Sequence, residues 1–100
     1  MCGIAGILSR CGAPARKTVD AMVGVITHRG PDASGVLFDG PMAMGMRRLS
    51  ILDLDGGNQP LYNEDRSVAV VYNGEIYNYV ELRGWLASRG HQLRSDGDTE

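Results

Sequence analysis

The sequence lacks the features that would place it in several broad classes of protein. Its 100 residues contain two cysteines, Cys2 and Cys11, which have no zinc-ligand spacing and are too few for a disulfide framework. No apolar run is long enough to span a membrane, and no apolar secretory segment follows a basic start. A net charge of −2 gives no electrostatic case for a nucleic-acid partner or a membrane partner. We therefore expect a reduced, cytoplasmic setting, with no nucleic acid and no membrane bound.

What is present fits one small globular domain. Hydrophobic residues make up 43% of the chain, which is enough for a core, and 100 residues allow one domain at most. The chain ends at Glu100, directly after the polar, turn-like run 95–100, without a closing element. We expect residues 1–100 to be the N-terminal part of a domain that is truncated at residue 100.

Hydrophobic spacing in the first half predicts a strand, a helix and a hairpin. Residues 3–8 are typical of a short buried strand. An amphipathic helix is predicted over roughly 15–27, because apolar residues recur at helical spacing, namely Val19, Met22, Val23 and Ile26. Asp39-Gly40 indicates a hairpin turn. The alternating Met42, Met44 and Met46 fit a strand face that packs into a core.

The second half adds a strand and a helix. Val68 to Tyr72 is the clearest buried strand by composition. Asn78, with Glu81 three residues later, predicts a capping box at the start of a helix over roughly 78–89, which Gly90 would end. Strands and helices mix without a strict βαβ rhythm, so we predict the α+β fold class.

Cys2 stands directly after the initiator methionine and is followed by the small residues Gly3, Ala5 and Gly6. Removal of Met1 would give Cys2 a free α-amine, and such amines titrate near pH 7.7–8.0 in general. An N-terminal amine can act as the base for a nucleophile on the same residue, so no partner histidine is required. The alternative is a small buried hydrophobe at a chain terminus.

Several separated stretches together resemble the N-terminal glutaminase domain of asparagine synthetase, a class II glutamine amidotransferase of the N-terminal nucleophile hydrolase type. The resemblance covers essentially the whole chain. It is carried by these stretches: Cys2-Gly3-Ile4-Ala5-Gly6, His28-Arg29-Gly30-Pro31-Asp32, Arg48-Leu49-Ser50-Ile51, Asn73-Gly74-Glu75-Ile76-Tyr77-Asn78 and Asp98-Thr99-Glu100.

The resemblance implies a catalytic group for the hydrolysis of L-glutamine to glutamate and ammonia. Cys2 would attack the side-chain amide and form a γ-glutamyl thioester. The Asn73 side chain and the Gly74 backbone N–H would bind the oxyanion. Asn-Gly is also typical of a simple tight turn, and on this dipeptide alone a turn is favoured.

The resemblance also implies a set of substrate-binding residues. Arg48 would bind the α-carboxylate, with its neighbour Arg47 a solvated surface residue. Backbone groups of Leu49, Ser50, Ile51 and Leu52 would line the same pocket, together with Asn73 and Gly74. Glu75 and Asp98 would face the α-ammonium. Asp96 competes with Asp98 for that role, because Gly97 replaces the serine that is usual before Asp-Thr-Glu.

The remaining implications concern fold and partners. The full domain would be an αββα sandwich that passes ammonia to a C-terminal synthetase domain of the same polypeptide, where ATP and Mg²⁺ bind and aspartate becomes asparagine. That domain is absent from this chain, which itself would hold no cofactor and no metal. Two alternatives remain: a tailoring amidotransferase with another carboxylate acceptor, and a degenerate module without activity. The oligomeric state also stays open, a homodimer included.

Overall fold

The computed structural model describes residues 2–50 and 57–100. Its elements, in chain order, are β1 (Gly3–Leu8), α1 (Arg16–Val25), a 3₁₀ turn (Thr27–Arg29), β2 (Ala33–Asp39), β3 (Met42–Arg48), β4 (Leu61–Tyr62), β5 (Ala69–Val70) and α2 (Tyr79–Ser88). Antiparallel sheets and helices are mixed in this order, which confirms the α+β class.

The main sheet is antiparallel, with strand order β1-β3-β2, so that β3 lies in the centre. Side chains of a strand alternate between the two faces of the sheet, and residues directly opposite one another share a face. Ala43, Gly45 and Arg47 therefore lie on one face, which we call the helix face. Met46 and Arg48 lie on the other, which we call the site face. The hairpin predicted at Asp39-Gly40 is confirmed by the β2–β3 pairing.

Helix α1 packs on the helix face. Val19 is 1% exposed, Val23 is 6% exposed, and Ala43 in β3 is fully buried beneath them. At Gly45 an added Cβ would lie 2.4 Å from Cγ2 of Val23, so only glycine allows the helix to approach this closely. The predicted apolar stripe of α1 is confirmed, although the helix ends at Val25 and a 3₁₀ turn follows.

The site face is covered only in part among the described residues. Met46 is 1% exposed, as the methionine alternation predicted. Ile4 and Leu8 on β1 are 52% and 79% exposed, so the expectation of a buried strand over 3–8 was right in its extent and wrong in its burial. The reason is that β1 pairs with β3 on one side only and alternates between the two faces.

The strand predicted from Val68 to Tyr72 is much shorter than expected. Only Ala69–Val70 form β5, which pairs with Leu61–Tyr62 of β4, and both strands are half-buried. Val68 is 61% exposed. Composition indicated a buried strand here, but a two-residue ladder with one partner strand does not enclose these side chains.

Helix α2 lacks the predicted cap at its start and has the predicted cap at its end. Asn78 precedes it but makes no side-chain capping bond, so the predicted capping box was wrong. The end is as predicted: Gly90 has φ +92°, its N–H donates to the Ala87 carbonyl at 3.1 Å, and the His91 N–H donates to the Leu86 carbonyl at 3.1 Å. These two bonds form a Schellman motif. Across the part of the chain that the structure describes, no helix is both long and apolar enough to cross a membrane.

A glycine-to-alanine substitution should change the free energy of unfolding in opposite directions at a crowded glycine and at an open one. Gly45→Ala should lower the free energy of unfolding by about 1–3 kcal/mol, because the methyl group overpacks the contact with Val23. Gly84→Ala in α2, where an added Cβ meets nothing within 4 Å, should raise it by roughly 0.5–1 kcal/mol. Denaturant unfolding of the full-length protein measures both changes. A Gly45→Ala variant with an unchanged free energy of unfolding would contradict the close contact between α1 and β3.

Candidate active site

The register of β1 on β3 places Cys2 at the end of the site face. Gly3 pairs with Arg47, so the preceding residue, Cys2, lies on the same face as Arg48. The Leu49 N–H donates to the Cys2 Sγ at 3.4 Å, and the thiol donates to the Leu49 carbonyl at 3.7 Å. The end of β3 therefore fixes the position of the thiol through its backbone.

A pocket of about 450 Å³ opens at this end of the sheet. Predicted site residues from four separate stretches line it together: Cys2, Arg48, Leu49, Asn73, Gly74, Glu75 and Asp98. We call it the Cys2 pocket. Ser50 is not among the described lining residues, because its N–H donates to Asp32 Oδ2 at 2.8 Å instead. Ile51 and Leu52 lie outside the described residues.

The two neighbouring arginines lie on opposite faces of β3. Arg48 is 5% exposed, lines the Cys2 pocket, and donates from Nη1 to Asn58 Oδ1 at 3.1 Å. Arg47 is half-buried on the helix face and donates from Nε to the Gly30 carbonyl at 3.0 Å. The expectation that Arg47 is a solvated surface residue was therefore wrong. Strand alternation separates the two cations, so only Arg48 lies where a ligand in this pocket can meet it.

The Asn73-Gly74 dipeptide is not a tight turn. Gly74 lies in a bend without a turn hydrogen bond, and its φ is outside the left-handed region that an Asn-Gly turn uses. An added Cβ at Gly74 would lie 2.5 Å from the Tyr72 hydroxyl, so the glycine is required by the close approach of the Tyr72 ring. Asn73 is exposed and lines the pocket.

Asp98, rather than Asp96, belongs to the Cys2 pocket. Asp98 is half-buried, and its Oδ2 accepts the Ile76 N–H at 2.8 Å, which ties it to the segment that follows Glu75. The Asp96 side chain is 99% exposed and lies 3.8 Å from Arg83. Two carboxylates, Asp98 and the exposed Glu75, therefore line one wall of the pocket. Their charges make this wall suited to a cation.

The loop that carries Asp98 is closed by the carboxylate of Glu100. Its Oε2 accepts the Ser95 N–H at 2.8 Å, the Ser95 hydroxyl at 2.8 Å and the Arg94 N–H at 2.9 Å. Ser95 is 3% exposed and lines the pocket. Three donors on one carboxylate fix both ends of this short loop relative to each other.

The loop 28–32 connects the backbone of Cys2 to the end of β3. Arg29 Nε donates to the Cys2 carbonyl at 3.2 Å, and the Asp32 N–H donates to the Arg48 carbonyl at 3.0 Å. His28 is exposed and donates from Nδ1 to the Val25 carbonyl at 3.1 Å. At Gly30 an added Cβ would lie 2.4 Å from the Arg47 carbonyl carbon, so this loop touches the β3 backbone directly.

Sequence reasoning missed the other lining residues of the pocket, namely Gly57, Gln59, Leu61, Tyr72, Tyr77, Ser95, Gly97 and Thr99. Tyr72, Tyr77, Gly97 and Thr99 are close neighbours of residues that were predicted, and proximity in the chain is a signal that was available. Gln59, Leu61 and Ser95 reach the pocket through tertiary contacts that no local pattern encodes. Within the described ranges, no three His, Cys, Asp or Glu side chains form a group that could hold a metal ion.

Comparison with known proteins gives a consistent result. A family model described as glutamine amidotransferase domain matches residues 1–100. Glutamine-hydrolyzing asparagine synthetase 1 of Bacillus subtilis (strain 168) is 42% identical over 106 residues, a match that covers 100% of this chain and 16% of that protein. Asparagine synthetase 2 of the same organism is 40% identical over 104 residues, covering 100% of this chain and 14% of that protein.

A plant relative is similar to this chain to the same degree. The glutamine-hydrolyzing asparagine synthetase of Brassica oleracea is 43% identical over 100 residues, covering 98% of this chain and 17% of that protein. The chain thus spans between 14% and 17% of the length of these three relatives. With a family model matched from the first residue to the last, the chain belongs to the glutamine amidotransferase domain family.

Proposed function

We propose that this chain hydrolyses the side-chain amide of L-glutamine, with Cys2 as an N-terminal nucleophile. The observation that carries the proposal is the Cys2 pocket itself. A thiol, a buried guanidinium, an Asn-Gly pair and two carboxylates line one cavity although they come from four separate parts of the chain. These groups match the charges of an amino acid with a cleavable amide.

The reaction begins at the thiol. After removal of Met1, the free α-amine takes the proton of the Cys2 thiol, and the sulfur attacks the side-chain carbonyl carbon of glutamine. The C–N bond then breaks, the amine returns the proton to the leaving nitrogen, and ammonia departs. Water attacks the resulting γ-glutamyl thioester, which releases glutamate and restores the thiol.

Charge complementarity assigns the other groups. Arg48 binds the α-carboxylate, since a guanidinium can donate two parallel hydrogen bonds to it. Asp98 and Glu75 face the α-ammonium. The Asn73 side-chain amide and the Gly74 N–H donate to the oxyanion of each tetrahedral intermediate. Support for the last assignment comes from the absence of a turn at the described Asn73-Gly74 pair, which leaves these donors available to a ligand.

The fate of the ammonia is part of the same proposal. The relatives are named as glutamine-hydrolyzing asparagine synthetases, and each is several times longer than this chain. We propose that ammonia passes to a C-terminal synthetase domain of the same polypeptide, which uses ATP with Mg²⁺ to convert aspartate to asparagine in the cytoplasm. The complete domain would be an αββα sandwich, in which α1 and the three-stranded sheet form one half.

Removal of Met1 is the first requirement of this mechanism. We expect the intact mass of the active, full-length protein to correspond to a chain that begins at Cys2, because a peptide-bonded nitrogen cannot act as the base. Mass spectrometry of the active preparation checks this. Full glutaminase activity in protein that retains Met1 would show that the α-amine of Cys2 is not the base.

The two cysteines provide a matched pair for testing the nucleophile. Cys2→Ala should abolish glutamate release from glutamine, whereas Cys11→Ala should leave it unchanged, because Cys11 is exposed and outside the Cys2 pocket. Synthesis from added ammonia should survive in Cys2→Ala if the synthetase domain is present. Glutaminase kinetics of the full-length variants measure the first effect, and ordinary turnover by Cys2→Ala would contradict the assignment.

Binding groups and oxyanion donors should separate in steady-state kinetics. Arg48→Lys and Asp98→Asn should mainly raise KM, because their partners are charged in both the ground state and the transition state. Loss of a charge-assisted hydrogen bond, worth about 1.5–3 kcal/mol, corresponds to roughly 10- to 100-fold. Asn73→Ala should mainly lower kcat, by about 10²–10³-fold, because the oxyanion exists only after attack.

The structure supplies matched controls for this experiment. Asn at position 98 keeps an oxygen for the Ile76 N–H, so the variant removes the charge and keeps the loop. Arg47→Lys changes a cation on the opposite face of the same strand, and Asp96→Asn changes an exposed carboxylate two residues away. Sensitivity of Arg47 and Asp96 in place of Arg48 and Asp98, or an unchanged kcat in Asn73→Ala, would refute the residue assignments.

A further inference from the structure

Gln59 is a buried polar residue whose side chain takes the place of a strand beside the Cys2 pocket. It is 8% exposed. Its Oε1 accepts the Tyr72 N–H, and its Nε2 donates to the Tyr72 carbonyl at 3.1 Å. A side-chain amide offers both an acceptor and a donor, so Gln59 satisfies both backbone groups of Tyr72, as a neighbouring strand would.

The register of the small sheet explains why a side chain is used here. Leu61 pairs with Val70, and Tyr62 pairs with Ala69. Continued by two residues, the same register sets Gln59 opposite Tyr72. The backbone ladder stops before that point, at the pair of Leu61 with Val70, so the Tyr72 backbone has no strand partner there. The amide of Gln59 then replaces the missing backbone pair and extends the support of the β5 segment as far as Tyr72.

The backbone of Gln59 touches the main sheet. At Gly35 in β2, an added Cβ would lie 1.8 Å from the Gln59 carbonyl oxygen, so the two backbones are in direct contact. Gly35 pairs with Met46 of β3, the strand whose end carries Arg48. One residue thus contacts, through its backbone, the sheet that holds Cys2 and, through its side chain, the segment that leads into Asn73.

We propose that Gln59 is a positioning residue, which sets the place of the oxyanion donors Asn73 and Gly74 relative to the Cys2 thiol; this rests on the proposed function. Tyr72 directly precedes Asn73, so release of its backbone moves both donors with respect to the sheet. A misplacement of about 1 Å in a reacting geometry costs about 10²-fold in rate. Arg48 lies on β3, outside the segment that the Gln59 side chain holds, so its contact with the α-carboxylate is kept and the loss should fall mainly on kcat.

Two variants of the full-length protein test the inference. Gln59→Met keeps the length of the side chain and removes both hydrogen bonds. It should lower kcat for glutamine hydrolysis by about 10- to 10²-fold with KM little changed. It should also speed hydrogen exchange at the Tyr72 amide, a readout that does not depend on activity. Gln92→Met, at an exposed glutamine, is the matched control and should change neither quantity.

Gln59→Glu adds a signature that a merely structural role does not produce. A carboxylate accepts the Tyr72 N–H but can donate to the Tyr72 carbonyl only when it is protonated. Burial raises the pKa of a carboxyl group, so protonation becomes accessible in mildly acidic solution. The ratio of the kcat of Gln59→Glu to that of the wild type, measured at each pH, should therefore rise as the pH is lowered.

The outcomes separate the two levels of the proposal. A wild type that hydrolyses glutamine, together with a Gln59→Met variant of normal kcat, overturns the role of Gln59 alone. So does a Gln59→Met variant with raised KM and unchanged kcat, or a Gln59→Glu variant without recovery at lower pH. A wild type that releases no glutamate overturns the proposed function itself, and the role of Gln59 with it.

Discussion

The antiparallel pairing of β1 with the end of β3 is the interaction on which the rest of the site depends. The pairing of Gly3 with Arg47 puts Cys2 and Arg48 on one face of the sheet and leaves the other face to α1. A slip of one residue would turn every side chain of β1 to the opposite face, and Cys2 would then point toward the helix. The close contact of Ile26 at Gly3 in β1 opposes such a slip, because an added Cβ there would lie 3.1 Å from Ile26 Cδ1 and leave little room for a larger residue. The position of the thiol is therefore a consequence of sheet register and of core packing.

The lining residues of the pocket that follow β5 and α2 in the chain are held in another way. Asn73, Glu75 and Asp98 lie outside the described strands and helices, so no backbone ladder fixes them. Polar side chains bind the backbone groups instead: Gln59 binds both groups of Tyr72, and Asp98 accepts the Ile76 N–H. Buried backbone groups need partners in any case, and here the residues that supply them also define the pocket. A site built from loops thus acquires a fixed geometry from a few hydrogen bonds.

Local signals in the sequence predicted those elements whose cause is local. The apolar spacing of α1, the Asp39-Gly40 turn and the stop at Gly90 each follow from a few neighbouring residues, and the structure has all three. The strand expected from Val68 to Tyr72 was wrong because β composition does not say how many strands will pair with it. Arg47 was wrongly taken as solvated, because alternation puts it on the face opposite Arg48 but does not show that the loop at Gly30 covers that face.

The sequence predicted several of the described residues that line the pocket, but not the residue that holds them in place. Residues such as Asn73 and Asp98 were singled out by the resemblance to a known family, and the pocket brings them together. Gln59 belongs to none of the stretches that carry this resemblance. Its contribution depends on Gly35 and Tyr72, which are distant in the chain, and on a ladder that stops at Pro60. Residues that act by holding other residues become visible only when the tertiary contacts are known.

We propose that Cys2 carries the glutamyl group during turnover. The most direct measurement is rapid acid quenching of the full-length protein during turnover with glutamine, followed by mass spectrometry of its N-terminal peptide. We expect a peptide that begins at Cys2 and carries one glutamyl group, attached as a thioester. Treatment with hydroxylamine should remove that group. Turnover of glutamine with no adduct at any quench time, or with the adduct on Cys11, would contradict this proposal.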